Sequence, residues 1–331
     1  MRARWRRSDQ VRIGFHASHE QFTPSRLLSL VREAEAAGFD AAMSSDHFAP
    51  WGLAQGQSGL SWSWIGAALA TTSFPIGMVV APGQRYHPAI VAQGVATLEE
   101  MFPGRYWAAL GSGEAVNEHI TGDAWPAKAD REQRLRESVD VIRRLLVGER
   151  VDHDGAVRVH DARVWTRPAE PPPLKATAVG PATAAWAAGW ADGLVTVGHD
   201  PAGLREVAEA YRDAGGTGAI AVQVHVCLAP SLDEGLGVAA EQWRQGTVPG
   251  EVMWDLEQPE DFDRLADPGD EKALHSAVLI DTDPRAMAER LAEVAASGFD
   301  EMYLHHVGLD QSAFLARARD ELLPALREAV A

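Results

Sequence analysis

Short apolar, β-branched runs alternate with amphipathic segments along almost all of this 331-residue chain. The runs predict eight strands: Val11–Ala17, Ala41–Ser45, Ile76–Val80, Tyr106–Leu110, Lys175–Val179, Leu194–Val197, Ala219–Ala229 and Met302–His305. Helical spacing of apolar residues predicts helices between them: Pro24–Ala37, Pro88–Met101, Asp130–Val147, Pro201–Ala214, Pro284–Ala296 and Gln311–Ala329. Strands that alternate with helices pair in parallel through right-handed crossovers. Eight of them favour a closed (β/α)8 TIM barrel.

The main alternative is an open, doubly wound sheet of the dinucleotide-binding type. No Gly-x-Gly-x-x-Gly follows the first predicted strand, which counts against that alternative. The length and the composition, 46% hydrophobic and 23% charged, suit one globular α/β barrel. We therefore expect a single TIM-barrel domain over residues 1–331.

A short junction recurs before three of the predicted strands. It reads Ala36-Ala37-Gly38-Phe39-Asp40, then Ala296-Ser297-Gly298-Phe299-Asp300, and more loosely Gly189-Trp190-Ala191-Asp192-Gly193. Each glycine is expected to end a helix in the left-handed conformation. These junctions mark the bottom of a barrel, so the chemistry is expected at the opposite ends of the strands.

Two segments interrupt the alternation. Residues 149–168 predict a polar hairpin with a turn at Asp154-Gly155, and residues 246–270 predict an irregular excursion rich in proline, glycine and acidic residues. Insertions on barrels form lids, pocket walls or plain surface loops, and the sequence leaves these alternatives open.

Charge and cysteine content restrict the partners and the compartment. A net charge of −17 counts against nucleic acid as a partner, and no stretch approaches the ~20 apolar residues of a membrane span. The single cysteine, Cys227, is expected to be a buried thiol. The early arginines Arg2, Arg4, Arg6 and Arg7 precede no apolar segment, so we expect no secretory signal. These features predict a cytoplasmic protein acting on a small molecule.

Polar residues gather where the predicted strands end. Successive strands deliver His16, Ser18, His19 and Glu20, then Asp46, His47 and Trp51, then Gly111-Ser112-Gly113-Glu114 and Asn117, then Thr196, Gly198 and His199, and finally His305 and His306. A histidine, carboxylates and an indole around one pocket can move protons and stack on a flat ring. Structural roles remain open at this point, since His47 could be a wall residue and Glu114 a helix cap.

Metal-dependent and serine-hydrolase chemistry find little support in the sequence. His16 and His19 lie three residues apart at a strand end, where they share no face, and no His-Glu-x-x-His helix is present. No Gly-x-Ser-x-Gly elbow is present either. We therefore predict neither a catalytic metal nor a nucleophilic serine.

Four motifs occur in order at characteristic intervals. They are Ser18-His19-Glu20-Gln21-Phe22, Ser45-Asp46-His47-Phe48-Ala49-Pro50-Trp51, Arg85-Tyr86-His87-Pro88-Ala89 and Gly111-Ser112-Gly113-Glu114-Ala115-Val116-Asn117-Glu118. Together they resemble the bacterial luciferase-like superfamily, and within it the F420-dependent glucose-6-phosphate dehydrogenase group. The resemblance extends from Ile13 to about Leu323.

This resemblance implies coenzyme F420, a deazaflavin, lying along the top of the barrel. It implies His47 as the base near the substrate hydroxyl, Trp51 as a partner of the ring, Glu114 in protonation of the deazaflavin and Glu20 on the substrate side. It also implies a strained non-prolyl cis peptide at Met78–Val79. The cofactor-binding residues would be Asp46, Met78, Val79, Ala81, Ser112, Gly113, Asn117, Ala178, Val179 and Gly180. The substrate side would include Thr196, His199 and His275.

The sequence also departs from the sugar-phosphate group. Thr196-Val197-Gly198-His199 lacks the lysine of that group, its arginine is replaced near His275, and Val179-Gly180 stands where that group has two glycines. Without those cations a phosphate ester loses its charge-assisted contacts. We therefore expect a small alcohol, carbonyl or enone as substrate rather than glucose 6-phosphate.

A second branch of the same superfamily uses FMN. His16-Ala17-Ser18-His19-Glu20, Pro82-Gly83-Gln84-Arg85-Tyr86, Tyr303-Leu304-His305-His306-Val307-Gly308 and the loop Gln55–Trp64 resemble that branch more closely. The intact His47, Trp51 and Glu114 set favours F420, with an FMN-dependent oxidoreductase or monooxygenase as the alternative. A barrel that binds a ligand without catalysis is the third alternative. The resemblance also implies a homodimer, for which helix Pro88–Met101 could supply an apolar face.

Overall fold

Eight parallel strands close into a barrel in the computed structural model, which describes residues 10–331. Its strands in chain order, with a hairpin and one short extra strand, are β1 Arg12–Ala17, β2 Ala41–Ser45, β3 Ile76–Val80, β4 Tyr106–Leu110, β5 Val151–Asp154, β6 Arg158–Ala162, β7 Leu174–Thr177, β8 Gly193–Val197, β9 Ala219–Leu228, β10 Leu279–Asp281 and β11 Glu301–His306. The barrel runs β1-β2-β3-β4-β7-β8-β9-β11 and back to β1. The predicted TIM barrel is confirmed. The arginines at positions 2, 4, 6 and 7 lie outside the described residues.

Helices surround this barrel. They are α1 Pro24–Ala37, α2 Ser61–Thr71, α3 Pro88–Met101, α4 Ala115–Glu118, α5 Lys128–Leu146, α6 Pro181–Ala187, α7 Pro201–Asp213, α8 Leu232–Gln242, α9 Gly250–Met253, α10 Pro259–Leu265, α11 Glu271–Ala277, α12 Pro284–Ala295, α13 Gln311–Arg317 and α14 Leu323–Ala329. Short 3₁₀ turns occupy His119–Thr121 and Arg244–Thr247. No helix within residues 10–331 is both long and apolar enough to cross a bilayer.

The predicted strand and helix positions hold, with two local differences. The last predicted helix is interrupted by a π turn at Ala318–Leu322, just before Pro324, which has no N–H for a regular helical bond. The run that follows Val278 forms the three-residue strand β10, which pairs with the end of β9. β9 is long enough, at ten residues, to contact three strands.

Two of the three predicted glycine junctions adopt the left-handed conformation. Gly38 has φ 95° and Gly298 has φ 112°, and the N–H of Gly38 bonds back into the last turn of α1. Gly189 is not among the residues of positive φ, so the prediction is wrong there. Helix α6 ends at Ala187 through Ala188 in a right-handed conformation, which removes the need for a left-handed residue.

The barrel interior has two chemically different layers. Its apolar part contains buried aliphatic and aromatic side chains, including Met43, Ala109 and Tyr303. Below them Lys175 and Glu301 form an ion pair with an N–O distance of 3.1 Å, with side chains only 1% and 3% exposed. The Lys175 ammonium also lies 4.4 Å from the centre of the Trp107 ring. These contacts close the bottom of the barrel.

The expected cis peptide at Met78–Val79 is wrong, since every peptide bond in residues 10–331 is trans. β3 stays regular here: Val79 pairs with Ala109 and Val80 with Leu110 on β4. The Val79 carbonyl accepts a hydrogen bond from the Asp46 N–H at 2.9 Å, as in an ordinary parallel ladder. No bulge interrupts the strand, so nothing here requires a strained bond.

The two insertions differ in secondary structure. Residues 149–168 contain the predicted hairpin, β5 and β6, antiparallel and joined through Asp154-Gly155. The hairpin rests on α5, where the His153 ring meets the Glu137 carboxylate at 2.8 Å. Residues 246–270 are not fully irregular, because they form α9 and α10.

Candidate active site

A cavity of about 610 Å³ opens at the C-terminal ends of the barrel strands. Thirteen of the seventeen predicted site residues line it: Glu20, Asp46, His47, Trp51, Val79, Ala81, Ser112, Gly113, Glu114, Asn117, Ala178, Val179 and Thr196. They come from the ends of six barrel strands or the segments that follow them, as expected for a barrel whose loops converge on one basin.

His47 lies between two carboxylates. Its Nδ1 is 3.4 Å from Glu20 Oε1, and its Nε2 is 3.7 Å from Glu114 Oε2. The His47 side chain is 10% exposed and that of Glu114 is 22% exposed, so both reach the cavity from a largely dry wall. One imidazole thus faces an acceptor on each side, which suits it to hold a proton and pass it on.

Trp51 packs edge-on against His47, with 5.0 Å between ring centroids and 63° between planes. On its other side it meets Phe262 of α10 at 5.4 Å. The Trp51 backbone N–H donates to the Gln55 side chain at 2.9 Å, which fixes the loop after β2. The indole therefore has a set position beside the imidazole.

Neighbouring side chains hold the two carboxylates. Ser18 Oγ donates to Glu20 Oε2 at 2.7 Å, and Asn117 Nδ2 donates to Glu114 Oε2 at 3.0 Å. Asn117 Oδ1 accepts from the Phe48 N–H at 2.7 Å, so it also ties Glu114 to the loop of His47. Desolvation raises the pKa of Glu114, and the nearby His47 opposes this rise. Glu114 therefore retains its proton to higher pH than an exposed glutamate.

Both carboxylate oxygens of Asp46 accept hydrogen bonds from within the protein. Arg85 Nη2 donates to the Asp46 carbonyl at 2.8 Å and to its Oδ2 at 3.0 Å, while the Ser61 N–H donates to Oδ1 at 3.1 Å. The Arg85 N–H also bonds Glu118 Oε2 at 2.7 Å. Arg85 and Glu118 belong to two of the sequence motifs, but no role is predicted for either residue from the sequence. Arg85 lies between the carboxylates of Asp46 and Glu118, an arrangement that forms only when the loops after β3 and β4 meet.

Small residues form the other side of the cavity. The backbone is left open along the ends of β3, β4 and β7 by residues with little or no side chain: Ala81, Gly111, Ser112, Gly113 and Ala178. Lys128 and Arg131 of α5 line the cavity beyond them. Lys128 lies 3.6 Å from Glu132, and Arg131 lies 3.7 Å from Asp255.

Four predicted site residues do not line the cavity. Met78 is fully buried in the core between barrel and helices, because residues alternate sides along β3 and Val79 takes the inward position. His199 turns away, and its Nε2 lies 3.0 Å from the His275 carbonyl. His275 is exposed on α11, and Gly180 caps α6 beyond the wall.

Several lining residues were missed as site candidates. Gln223, His225 and Trp243 lie on β9 and just after α8, and they face the cavity with His16 and His305. The alternation of Gln223 and His225 within an apolar run was the signal that could have found them, since alternate residues of a barrel strand point inward. Within residues 10–331, no three His, Cys, Asp or Glu side chains are arranged to hold a metal ion.

The profile of the luciferase-like monooxygenases matches residues 8–305 of the chain. The chain belongs to this family. This luciferase-like protein is 34% identical to the F420-dependent glucose-6-phosphate dehydrogenase of Beutenbergia cavernae over 329 residues, covering 96% of this chain and 98% of the relative. It is 35% identical to the enzyme of the same name from Microbacterium testaceum over 330 residues, covering 96% and 98%.

Solved structures give the same picture of this luciferase-like protein. An F420-dependent secondary alcohol dehydrogenase in complex with an F420-acetone adduct matches with a TM-score of 0.87 at 29% identity, covering 96% of this chain and 99% of that one. A riboflavin lyase with modified FMN shares the fold at a TM-score of 0.75 and 18% identity, covering 97% and 92%. The predictions of the superfamily and of an enzyme are confirmed, and the F420-dependent relatives agree with the predicted cofactor.

Proposed function

We propose that the protein is an F420-dependent oxidoreductase that transfers a hydride between F420 and a small neutral alcohol, carbonyl or enone. The observation that carries the proposal is the placement of His47 between Glu20 and Glu114, beside Trp51, in one cavity. The F420 dependence named for the relatives supports the cofactor.

The residues of the cavity fit such a cofactor. The open backbone from Ala81 through Ser112 to Ala178 leaves room for a flat ring beside His47 and Trp51. Thr196 Oγ1 is buried against the same cavity with no hydrogen-bond partner in the described part of the chain. Lys128 and Arg131 supply positive charge for an anionic tail, which the overall charge of −17 would otherwise repel. Val79, Gly113, Asn117 and Val179 would complete the cofactor side.

When bound, F420 supplies a ring that accepts or returns a hydride. His47 takes the proton of the substrate hydroxyl, and the Glu20 carboxylate, 3.4 Å from His47 Nδ1, favours the charged imidazole. Glu114, which desolvation keeps protonated to higher pH, holds the proton needed at the ring. Trp51 packs against His47 and limits access of water to it.

Charge at the cavity wall supports a neutral substrate. Among the described lining residues the cations are Arg85, Lys128 and Arg131, and each has a carboxylate within 4 Å. His199 and His275, which replace the phosphate-binding cations of the sugar-phosphate group, lie off the cavity wall. Burial also lowers the pKa of His199, so it stays neutral. A phosphate ester of the substrate would therefore lack those two cations, while Lys128 and Arg131 of α5 serve the anionic tail of the cofactor.

The experiment is titration of the purified protein with F420, followed by a secondary alcohol such as cyclohexanol. Bound F420 and loss of its absorbance band after the alcohol support the proposal. FMN released from the purified, denatured protein would instead support the FMN-dependent alternative. No binding of F420 at micromolar concentration would contradict the proposal.

Three further expectations accompany the proposal. A single domain is supported by one large core that joins the barrel strands to helices from α1 to α14. A cytoplasmic location is supported by the cysteine content, because the single cysteine, Cys227, excludes an internal disulfide framework. A homodimer stays a prediction; α3 carries Ile90 and Met101 at its surface, each more than half exposed.

A further inference from the structure

Three histidines and a glutamine form a network along one wall of the cavity. His16 stacks on His305 with 4.5 Å between ring centroids, and His225 meets His305 at 5.2 Å. Gln223 lies between them, with its Nε2 at 3.0 Å from His225 Nε2 and 3.4 Å from His305 Nδ1. All four residues line the cavity that holds His47, yet the proposed hydride transfer uses none of them.

The hydrogen bonds around His305 fix its protonation. Gln21 Nε2 donates to the Val307 carbonyl at 2.7 Å, so the Gln21 oxygen must be the atom that faces His305 Nε2 at 2.9 Å. His305 therefore donates from Nε2. Burial, followed by the nearby His16 and His225, lowers the pKa of His305 well below its usual value. The ring is neutral, and its Nδ1 can only accept.

The same logic orients Gln223. Because His305 Nδ1 accepts, the Gln223 atom facing it must be the amide nitrogen, which also donates to His225 Nε2. Desolvation lowers the pKa of His225 to about 3, and its ring also hydrogen-bonds the Ala277 backbone. Both hydrogens of the Gln223 amide are thereby used. Reversing the amide would require a charged His305 in a dry site.

This orientation of the amide leaves the Gln223 side-chain oxygen available as a hydrogen-bond acceptor. Gln223 Oε1 has no hydrogen-bond partner within residues 10–331, although the residue lines the cavity. Trp243 flanks the network, at 4.2 Å from His225 and 4.7 Å from His305 between ring centroids. A ligand beside Gln223 thus meets one neutral acceptor set in aromatic surroundings.

We propose that Gln223 is a specificity residue whose Oε1 accepts a hydrogen bond from a second hydroxyl of the substrate. The substrate class is then a neutral diol or hydroxyketone, with one oxygen at His47 and another at Gln223. This inference rests on the proposed function and narrows it. A fixed acceptor favours a substrate with a hydroxyl over the analogue without one, because the analogue leaves the acceptor unpaired.

The test compares cyclohexanol with the cyclohexane-1,2-, 1,3- and 1,4-diols, which share a ring and differ by one hydroxyl. Binding to the F420-loaded protein is measured by calorimetry, and turnover is measured at the F420 absorbance band. At least one diol should bind about fivefold more tightly than cyclohexanol, as one neutral hydrogen bond allows. Gln223→Met should abolish this preference, while Gln223→Asn, which keeps both the amide N–H donors and the acceptor oxygen, should retain part of it. Thermal melting shows that each variant folds.

The outcomes separate this inference from the proposed function. Diol preference that depends on Gln223 without any turnover would support the specificity role and contradict hydride transfer. Turnover of cyclohexanol with no preference for any diol would overturn the specificity role alone. Preference retained in Gln223→Met, or lost equally in both variants, would also overturn it, because the oxygen would not be its source.

Discussion

At the scale of single residues, the central feature is an imidazole shared by two acids. The contacts of His47 with Glu20 and Glu114 differ by only 0.3 Å, being 3.4 Å and 3.7 Å long. Neither carboxylate is free to rotate, since Ser18 holds one and Asn117 holds the other. This geometry lets His47 accept a proton while Glu114 holds another.

Replacing His47 tests the base directly. His47→Ala is expected to lower kcat by about 10²- to 10⁴-fold, the usual contribution of a positioned base, and to change F420 affinity little. Steady-state kinetics and an F420 titration measure the two effects. His160→Ala is the matched control, because that ring is 97% exposed on the hairpin. An unchanged kcat in His47→Ala would contradict the role of His47 as the base.

Glu114 sets a pH dependence. Its raised pKa means that the neutral acid persists above the ordinary value of 4.5 and is lost as pH rises through the raised value. Alcohol oxidation should therefore slow on that alkaline limb, since the carboxylate has no proton to give. Glu114→Gln should lower kcat by about 10²-fold and remove the limb from a kcat–pH profile. A limb unchanged in the variant would assign it to another group.

How far the sequence predicts the site differs from residue to residue. His47, Trp51 and Glu114 could be placed together because each follows a strand end, and strand ends of a barrel converge. Residues alternate sides along β3, so Met78 and Val79 cannot both face the cavity. The prediction included both, but only Val79 lines the cavity, and Met78 lies in the core. Arg85 and the Gln223 network depend on contacts between distant loops and strands, which local patterns do not encode.

At the scale of elements, the bottom of the barrel is a buried ion pair. Burial alone would raise the pKa of Glu301, but Lys175, Arg12 and the Tyr303 hydroxyl lower it overall. Its depressed folded pKa means that this stabilisation is present above the ordinary value of 4.5 and is lost as pH falls through the folded value. The pair ties β7 to β11 across the interior.

Removing one partner of the Lys175–Glu301 pair should lower the free energy of unfolding more than replacing both partners by apolar residues. Glu301→Gln leaves the Lys175 ammonium buried without its partner and should lower the free energy of unfolding by about 3–5 kcal/mol. The double variant Lys175→Met with Glu301→Leu should be more stable than Glu301→Gln, because the buried Lys175 ammonium is removed together with its partner. Denaturant unfolding of the three proteins measures this order. Equal losses in the single and the double variant would contradict it.

The two insertions should separate stability from activity. The hairpin of residues 151–162 contributes nothing to the cavity wall, whereas residues 246–270 contribute Gly246, Met253 and Trp254. Replacing the hairpin by a short Gly-Ser linker should leave kcat/KM within about twofold. It should lower Tm, since buried Val151 and Val159 each contribute roughly 1.5–3 kcal/mol. Loss of turnover in a folded linker variant would make the hairpin part of the site.

Trp254 belongs to the other insertion and lines the cavity, so Trp254→Ala should instead raise KM.

At the scale of the whole molecule, the barrel was predictable and its finer partition was not. Eight strand patterns that alternate with helices favour closure, because parallel strands linked by helices have few other arrangements. The extra strand β10, the π turn before Pro324 and the short helices α9 and α10 depend on local accommodation after the barrel has formed. The overall charge of −17 likewise does not predict that Lys128 and Arg131 of α5 lie beside the cavity.

The most direct test of the whole account is a parallel titration of cofactor-free protein with F420 and with FMN under anaerobic conditions. We predict micromolar affinity for F420, at least about tenfold weaker binding of FMN (roughly 1.4 kcal/mol), and bleaching of bound F420 by a secondary alcohol. Tighter binding of FMN, or bound F420 that no alcohol reduces, would contradict the central claim.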